Sequence, residues 1–134
     1  LDASLKRMIH VPGRLFSVAE WTVQEIPRLV ARSERLACYF ETAFGPMVMV
    51  LVGAINVSAI ETVWTGAVVP PRARKISEYD YRHTTKEIRK GAEMGRFNMG
   101  STVILLTANK VDWLPDFVAG HKVKMGQPIG QFPA

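Results

Sequence analysis

Apolar residues gather in short runs, β-branched or aromatic: Leu15–Val18, Leu36–Phe40, Met47–Val52, Ala54–Val57, Thr62–Trp64 and Thr102–Leu106. Each run has the length of one strand, and turn-forming residues close it off. Val11-Pro12-Gly13, Phe44-Gly45-Pro46 and Val69-Pro70-Pro71 are the strongest stops, because glycine supplies positive φ and proline removes a backbone donor. Many short strands at close spacing predict a mainly β fold, a compact and largely antiparallel sheet or sandwich. The best helical stretch, Trp21 to Ala31, has Pro27 inside it, so helices are few and short.

At 134 residues the chain has the length of one domain, 1–134. With 48% hydrophobic and 22% charged residues it can build a core and lacks the bias of a disordered chain. A single cysteine, Cys38, excludes an internal disulfide and a zinc site of the usual cysteine-based kind. The longest apolar stretch, Met47–Ile60, contains Gly53, Asn56 and Ser58 and is too short to cross a bilayer. No signal-peptide pattern opens the chain. It starts at Leu1 in mid-pattern, without Met, which leads us to expect residues upstream.

The net charge of +5 is concentrated in residues 72–90, where Arg72, Arg74, Lys75, Arg82, Lys86, Arg89 and Lys90 face only Glu78, Asp80 and Glu87. A solvated connecting loop explains this run, and contact with an anionic surface is the functional alternative. No nucleic-acid-binding motif accompanies the charge. His10, His83 and His121 are scattered, read as surface or loop residues, and receive no catalytic role. Gly120–Gly130 alternates apolar and polar residues between glycines, like the strand-turn-strand hairpin of biotinyl and lipoyl carrier domains, but lacks their modified lysine. Trp21, Trp64 and Trp113 read as core residues, with Trp113–Phe117 as an alternative apolar loop near a membrane.

Conventional nucleotide, zinc-protease and hydrolase signatures are missing. The informative segment is Lys90–Leu106, where Gly91, Gly95 and Gly100 approach a predicted strand. By local features alone its Gly100-Ser101 pair is a turn. Glu93-Met-Gly-Arg-Phe-Asn-Met-Gly-Ser-Thr-Val103, however, resembles the self-processing motif of phosphatidylserine decarboxylases, Glu-x-Gly-x-Phe-x-x-Gly-Ser-Thr-Val. Met8–Val18 is similar to the family's Val-Pro-Gly-x-Leu-Phe-Ser-Val block, and Ala31–Arg35 to its Arg-Asn-Glu-Arg. Phe44–Met47, Val52–Ala54 and Gly126–Gly130 follow in the family's order, so the resemblance spans nearly the whole chain.

The resemblance implies that the Ser101 hydroxyl attacks the Gly100 carbonyl and that elimination leaves a pyruvoyl group at residue 101. The chain becomes a longer piece, 1–100, and a shorter one, 101–134, which stay associated. The pyruvoyl group forms a Schiff base with the amine of phosphatidylserine and accepts electrons as carbon dioxide leaves, with neither metal nor pyridoxal phosphate. The product is phosphatidylethanolamine. Ser17 and Val18 match the family segment that lines the substrate pocket, although Ala19 follows where the family often has Asn. Phe97 is a further lining candidate, and it and Glu93 serve equally well as core or turn residues.

Serine needs a base to become nucleophilic. The family's base is a histidine backed by an aspartate, both upstream of the Val-Pro-Gly block, and Asp2 matches neither in position or context. This polypeptide alone is therefore expected neither to process nor to turn over. The expected partners are phosphatidylserine and an anionic membrane surface, with a homodimer compatible and nucleic acid excluded. The expected place is peripheral, at the cytoplasmic face of a bacterial cell membrane. The alternatives are an unprocessed, non-catalytic lipid-surface module or inactive fragment of the same fold, and a biotinyl- or lipoyl-like interaction domain.

Overall fold

The computed structural model describes residues 1–17, 19–54, 60–68, 75–98 and 102–134. Its elements run β1 (Ala3–Val11), α1 (Glu20–Glu25), α2 (Leu29–Arg32), β2 (Arg35–Thr42), β3 (Gly45–Val52), β4 (Ile60–Thr62) and β5 (Gly66–Val68). There follow β6 (Ser77–Asp80), β7 (Glu87–Ile88), β8 (Gly95–Phe97), β9 (Thr102–Thr107), β10 (Asp112–Trp113) and β11 (Gly130–Gln131). The fold is mainly β and antiparallel, as expected. The large sheet has the order β6-β1-β2-β3-β9, with β7 also on β1; β5-β4-β8 form a small sheet and β10-β11 a ribbon.

One face of the large sheet carries the core. Leu36, Cys38 and Phe40 of β2 face Leu51, Met49 and Met47 of β3 in register, and Leu5 and Met8 of β1 oppose Phe40 and Cys38. Ile60 of the small sheet joins this cluster, and Trp64 and Phe97 pack against it. Trp64 meets Phe40 edge-on at 6.2 Å between centroids and donates its indole N–H to Met8 Sδ at 3.4 Å. Each fully buried large side chain contributes about 1.5–3 kcal/mol, and Leu5, Met8 and Leu36 are the largest of them.

Strand β1 does not follow simple alternation. Ala3 and Leu5 are buried, then the phase slips and Met8 and His10 are buried. A bulge between Leu5 and Arg7 in the pairing with β2 inserts the extra residue, which keeps Met8 and His10 on the core side. The stretch from Trp21 to Ala31 is split at Pro27: Ile26, which precedes the proline, is extended at φ −101° and ψ 110°. α1 and α2 are the two short products.

Several sequence expectations are corrected. Leu15–Ser17 form no strand, because Arg14 spends its backbone groups on Arg32 and Glu34 and makes only an isolated parallel bridge with Ser33. β4 ends at Thr62, whose Oγ1 accepts the Thr65 N–H at 3.3 Å and turns the chain before Gly66 at φ 71°. Between Gly120 and Ile129 no strand forms: a turn closes from Gln127 N–H to Lys124 O at 3.0 Å, and Val123 and Met125 are exposed. The expected Ala54–Val57 strand falls largely on residues 55–59, outside the described residues. Trp21 and Trp113 are 69% and 45% exposed, so Trp64 alone of the three packs on the core.

Candidate active site

Gly100, Ser101 and Val18 lie outside the described residues; the strands before and after residues 99–101 are both paired. Residues 98–101 link β8 of the small sheet to β9 of the large one. Upstream, Gly95, Arg96 and Phe97 oppose Thr62, Glu61 and Ile60 of β4. Gly95 is required there, since a Cβ at this position collides with the Glu61 carbonyl oxygen. Arg96 Nε lies 3.0 Å from Glu93 Oε1 and 3.4 Å from Glu61 Oε2, so Glu93 braces the turn. Phe97 is half-buried against the core. Downstream, Thr102 starts β9 opposite Val52, and the pairing continues to Thr107 opposite Met47. Beside the approach to this link, Gly91, Glu93, Gly95, Arg96, Met125 and Gly126 line an open depression of about 600 Å³.

Ser17 sits at the entry to α1. Its Oγ accepts the Ala19 N–H at 3.3 Å, which uses a lone pair and leaves the hydroxyl hydrogen able to donate. The Arg32 guanidinium lies 5.3 Å from the Phe16 ring centroid, a cation–π contact at the neighbouring residue. The chain crosses the start of β2 so closely at Gly13 that a Cβ there falls 2.6–2.7 Å from backbone atoms of Arg32, Ser33 and Glu34.

Glu34 is a junction that sequence reasoning missed. Its N–H donates to Arg14 O at 3.1 Å, and its carbonyl accepts the Gly53 N–H at 2.8 Å. Its carboxylate lies 2.6 Å from His10 Nε2, with the two side chains only 7% and 5% exposed. His10 is therefore not the surface residue its isolation in sequence suggests. His83 and His121 are exposed, as expected. The only available signal was the apolar neighbourhood of His10, Met8-Ile9 before it and Val11 after it. Cys38 is buried in the core, and burial pushes its thiol up to about 12.

The basic run divides. Arg72 and Arg74 lie outside the described residues, whereas Arg82 binds the Asp80 carboxylate through Nε and Nη2 at 2.6–3.1 Å. Exposed Trp113, Leu114, Phe117 and Val118 form an apolar loop, with Trp113 and Phe117 rings 5.5 Å apart. Among the described residues no helix is long and apolar enough to cross a membrane.

A family model for phosphatidylserine decarboxylase matches residues 1–131. The phosphatidylserine decarboxylase proenzyme of Methylococcus capsulatus is 53% identical over 128 residues, 95% of this chain and 44% of that protein. The proenzyme of Azotobacter vinelandii is 50% identical over 135 residues, 98% of this chain and 47% of that protein. That of Xylella fastidiosa is 52% identical over 126 residues, covering 93% and 43% respectively. The chain thus spans about half the length of the curated relatives it matches.

Proposed function

We propose that this chain, which belongs to the phosphatidylserine decarboxylase family, is the catalytic portion of a proenzyme that cuts itself between Gly100 and Ser101 and decarboxylates phosphatidylserine to phosphatidylethanolamine. The observation that carries the reading is Gly100-Ser101-Thr102 standing at the entry to β9, a strand held to β3 by a six-pair antiparallel register. The strand that begins one residue later, at Thr102, stays paired with β3 after the bond before Ser101 is broken.

In processing, the Ser101 hydroxyl adds to the Gly100 carbonyl, so a C–O ester bond replaces the C–N amide bond. Glycine suits this step because it lacks a side chain that would obstruct the approach. Elimination then releases Gly100 as a carboxylate, and hydrolysis of the enamine left at residue 101 expels ammonia and leaves a ketone. A histidine is the base we propose for the Ser101 proton; His10, buried and engaged with Glu34, is not assigned that role. Residue 101 fits the pyruvoyl role in being a serine with glycine before it and a firmly paired strand after it. A pyruvoyl group supplies an electron-accepting carbonyl, the chemistry that decarboxylation of an amino-acid headgroup needs. Ser17 donates its hydroxyl hydrogen to the substrate carboxylate, with Val18 and Phe97 as the apolar lining. The protein acts at an anionic membrane surface on the cytoplasmic side, where the apolar loop 113–118 and the nearby Lys122 and Lys124 suit headgroups above an acyl layer.

Intact-mass spectrometry of the whole proenzyme, of which these residues are the proposed catalytic portion, tests this. Two pieces are expected, the smaller beginning at residue 101 and gaining mass on borohydride reduction, with carbon dioxide released from phosphatidylserine. Ser101→Ala remains one chain. An uncut wild type without carbonyl or carbon dioxide release rejects the reading.

A further inference from the structure

The buried pair His10 and Glu34 has no part in the chemistry above, yet it closes the base of the excursion that carries Ser17. The residues are 24 positions apart, one at the end of β1 and the other just before β2, and everything between them is the Pro12–Ser17 loop with α1 and α2. Three bonds converge on Glu34. Its side chain reaches β1 through His10, its N–H holds the loop at Arg14 O, and its carbonyl holds Gly53 just beyond β3. The last residue of β3, Val52, is opposite Thr102, next to Ser101.

We infer that His10 and Glu34 are positioning residues, a clasp that fixes the loop bearing Ser17 relative to the strand end that bears residue 101. The inference rests on the reading of Ser17 and Ser101 given above. The loop needs such a clasp: Leu15–Ser17 have no ladder of their own, and the Arg14–Ser33 contact is a single bridge. Backbone bonds at Arg14 and Gly53 fix where Glu34 lies between loop and sheet, and the carboxylate–imidazole contact fixes it to β1. Without His10 the Glu34 carboxylate is buried without its partner and must turn toward water, which pulls on the same residue that holds Arg14. By contrast β9, which begins at the residue after 101, has its own ladder, so loss of the clasp moves Ser17 rather than β9.

The test uses the full-length protein with His10→Ala, His10→Gln, Glu34→Gln and Ser17→Ala, and reads self-cleavage, decarboxylation kinetics and amide hydrogen exchange. We expect His10→Ala to remain competent to cut itself, with kcat/KM down about ten-fold or more, as misplacement of a positioning group produces. His10→Gln, whose amide can donate to Glu34, restores most of it. In a Ser17→Ala background the further loss from His10→Ala shrinks to about three-fold or less, since the two act through one loop. Exchange rises at residues 13–17 and 34, while β2–β3 amides keep their protection. Unchanged exchange at 13–17 overturns the clasp. Raised exchange with kcat/KM unaltered, or a full multiplicative loss with Ser17→Ala, overturns its positioning role. If the wild type neither cuts itself nor releases carbon dioxide, the proposed function fails, and the exchange comparison decides the clasp by itself.

Discussion

Thr102 lies directly across the antiparallel ladder from Val52, so the strand that begins after the proposed cut is tied to the final residue of β3. The two pieces should therefore co-elute on size-exclusion chromatography after cleavage. Ile104→Pro and Leu105→Pro examine the ladder together, because neighbouring N–H groups on a strand point to opposite sides and proline removes one of them. The variant that loses the N–H aimed at β3 should fail to retain the 101–134 piece, and the other should retain it. Retention in both would mean that the ladder is not what holds the pieces.

Gly13 and Gly95 stand where backbone passes backbone. Alanine at Gly13 places a methyl 2.6 Å from Glu34 N, and at Gly95 it collides with the Glu61 carbonyl oxygen. Each substitution should destabilise the protein by about 1–3 kcal/mol, the usual range for overpacking. Gly91→Ala meets nothing within 4 Å but sits at φ 82°, so only backbone strain of about 1–2 kcal/mol is expected. Urea unfolding curves measure all three, and Gly13→Ala should also slow decarboxylation because it displaces the Ser17 loop.

Burial raises the Cys38 thiol from 9.0 to about 12. The folded chain keeps that proton over a range in which the unfolded chain has released it, so the unfolded state binds fewer protons there. Stability from this group is complete below about pH 9 and is lost as pH rises toward 12. A disulfide exchange reagent at pH 8 should modify Cys38 only at the rate of opening of the core. Rapid modification of the native protein would contradict the burial.

Asp80 is governed by Arg82, whose guanidinium and backbone N–H both donate to its carboxylate. They hold the carboxyl well below the usual carboxylate range. The sign follows: the interaction is present at neutral pH and is lost only as pH falls through that lowered value. In an NMR titration Asp80 should show no midpoint in the ordinary carboxylate range, and Arg82→Gln should bring it back there. Since the pair is exposed, added salt should weaken the effect.

Strands β2, β3 and all but the last residue of β9 were legible because their apolar residues are continuous and β-branched or aromatic. β1, a central strand with neighbours on both sides, was not. Its bulge shifts the buried positions from 3 and 5 to 8 and 10, and Lys6-Arg7 interrupts any alternating pattern. Leu15–Ser17 looked like a strand because composition cannot show that the backbone of Arg14 is already engaged elsewhere. Gly120–Gly130 has the alternation of a hairpin without a partner for either arm. At the candidate site, Gly100-Ser101 stood out only through the whole Glu93–Val103 motif, since a glycine-serine pair alone reads as a turn. Glu34 and His10 could not be joined from sequence: their contact spans 24 positions and depends on where β1 ends.

The sheet order β6-β1-β2-β3-β9 places the strand that follows residue 101 at the margin. Every other strand of that sheet, and the whole small sheet, precedes the proposed cut. The residues upstream of 101 can therefore form the rest of the sheet by themselves, and the proposed scission would leave every interior pairing intact. For the proposed cleavage, such a layout lets assembly come first and bond breaking second, with β9 already paired.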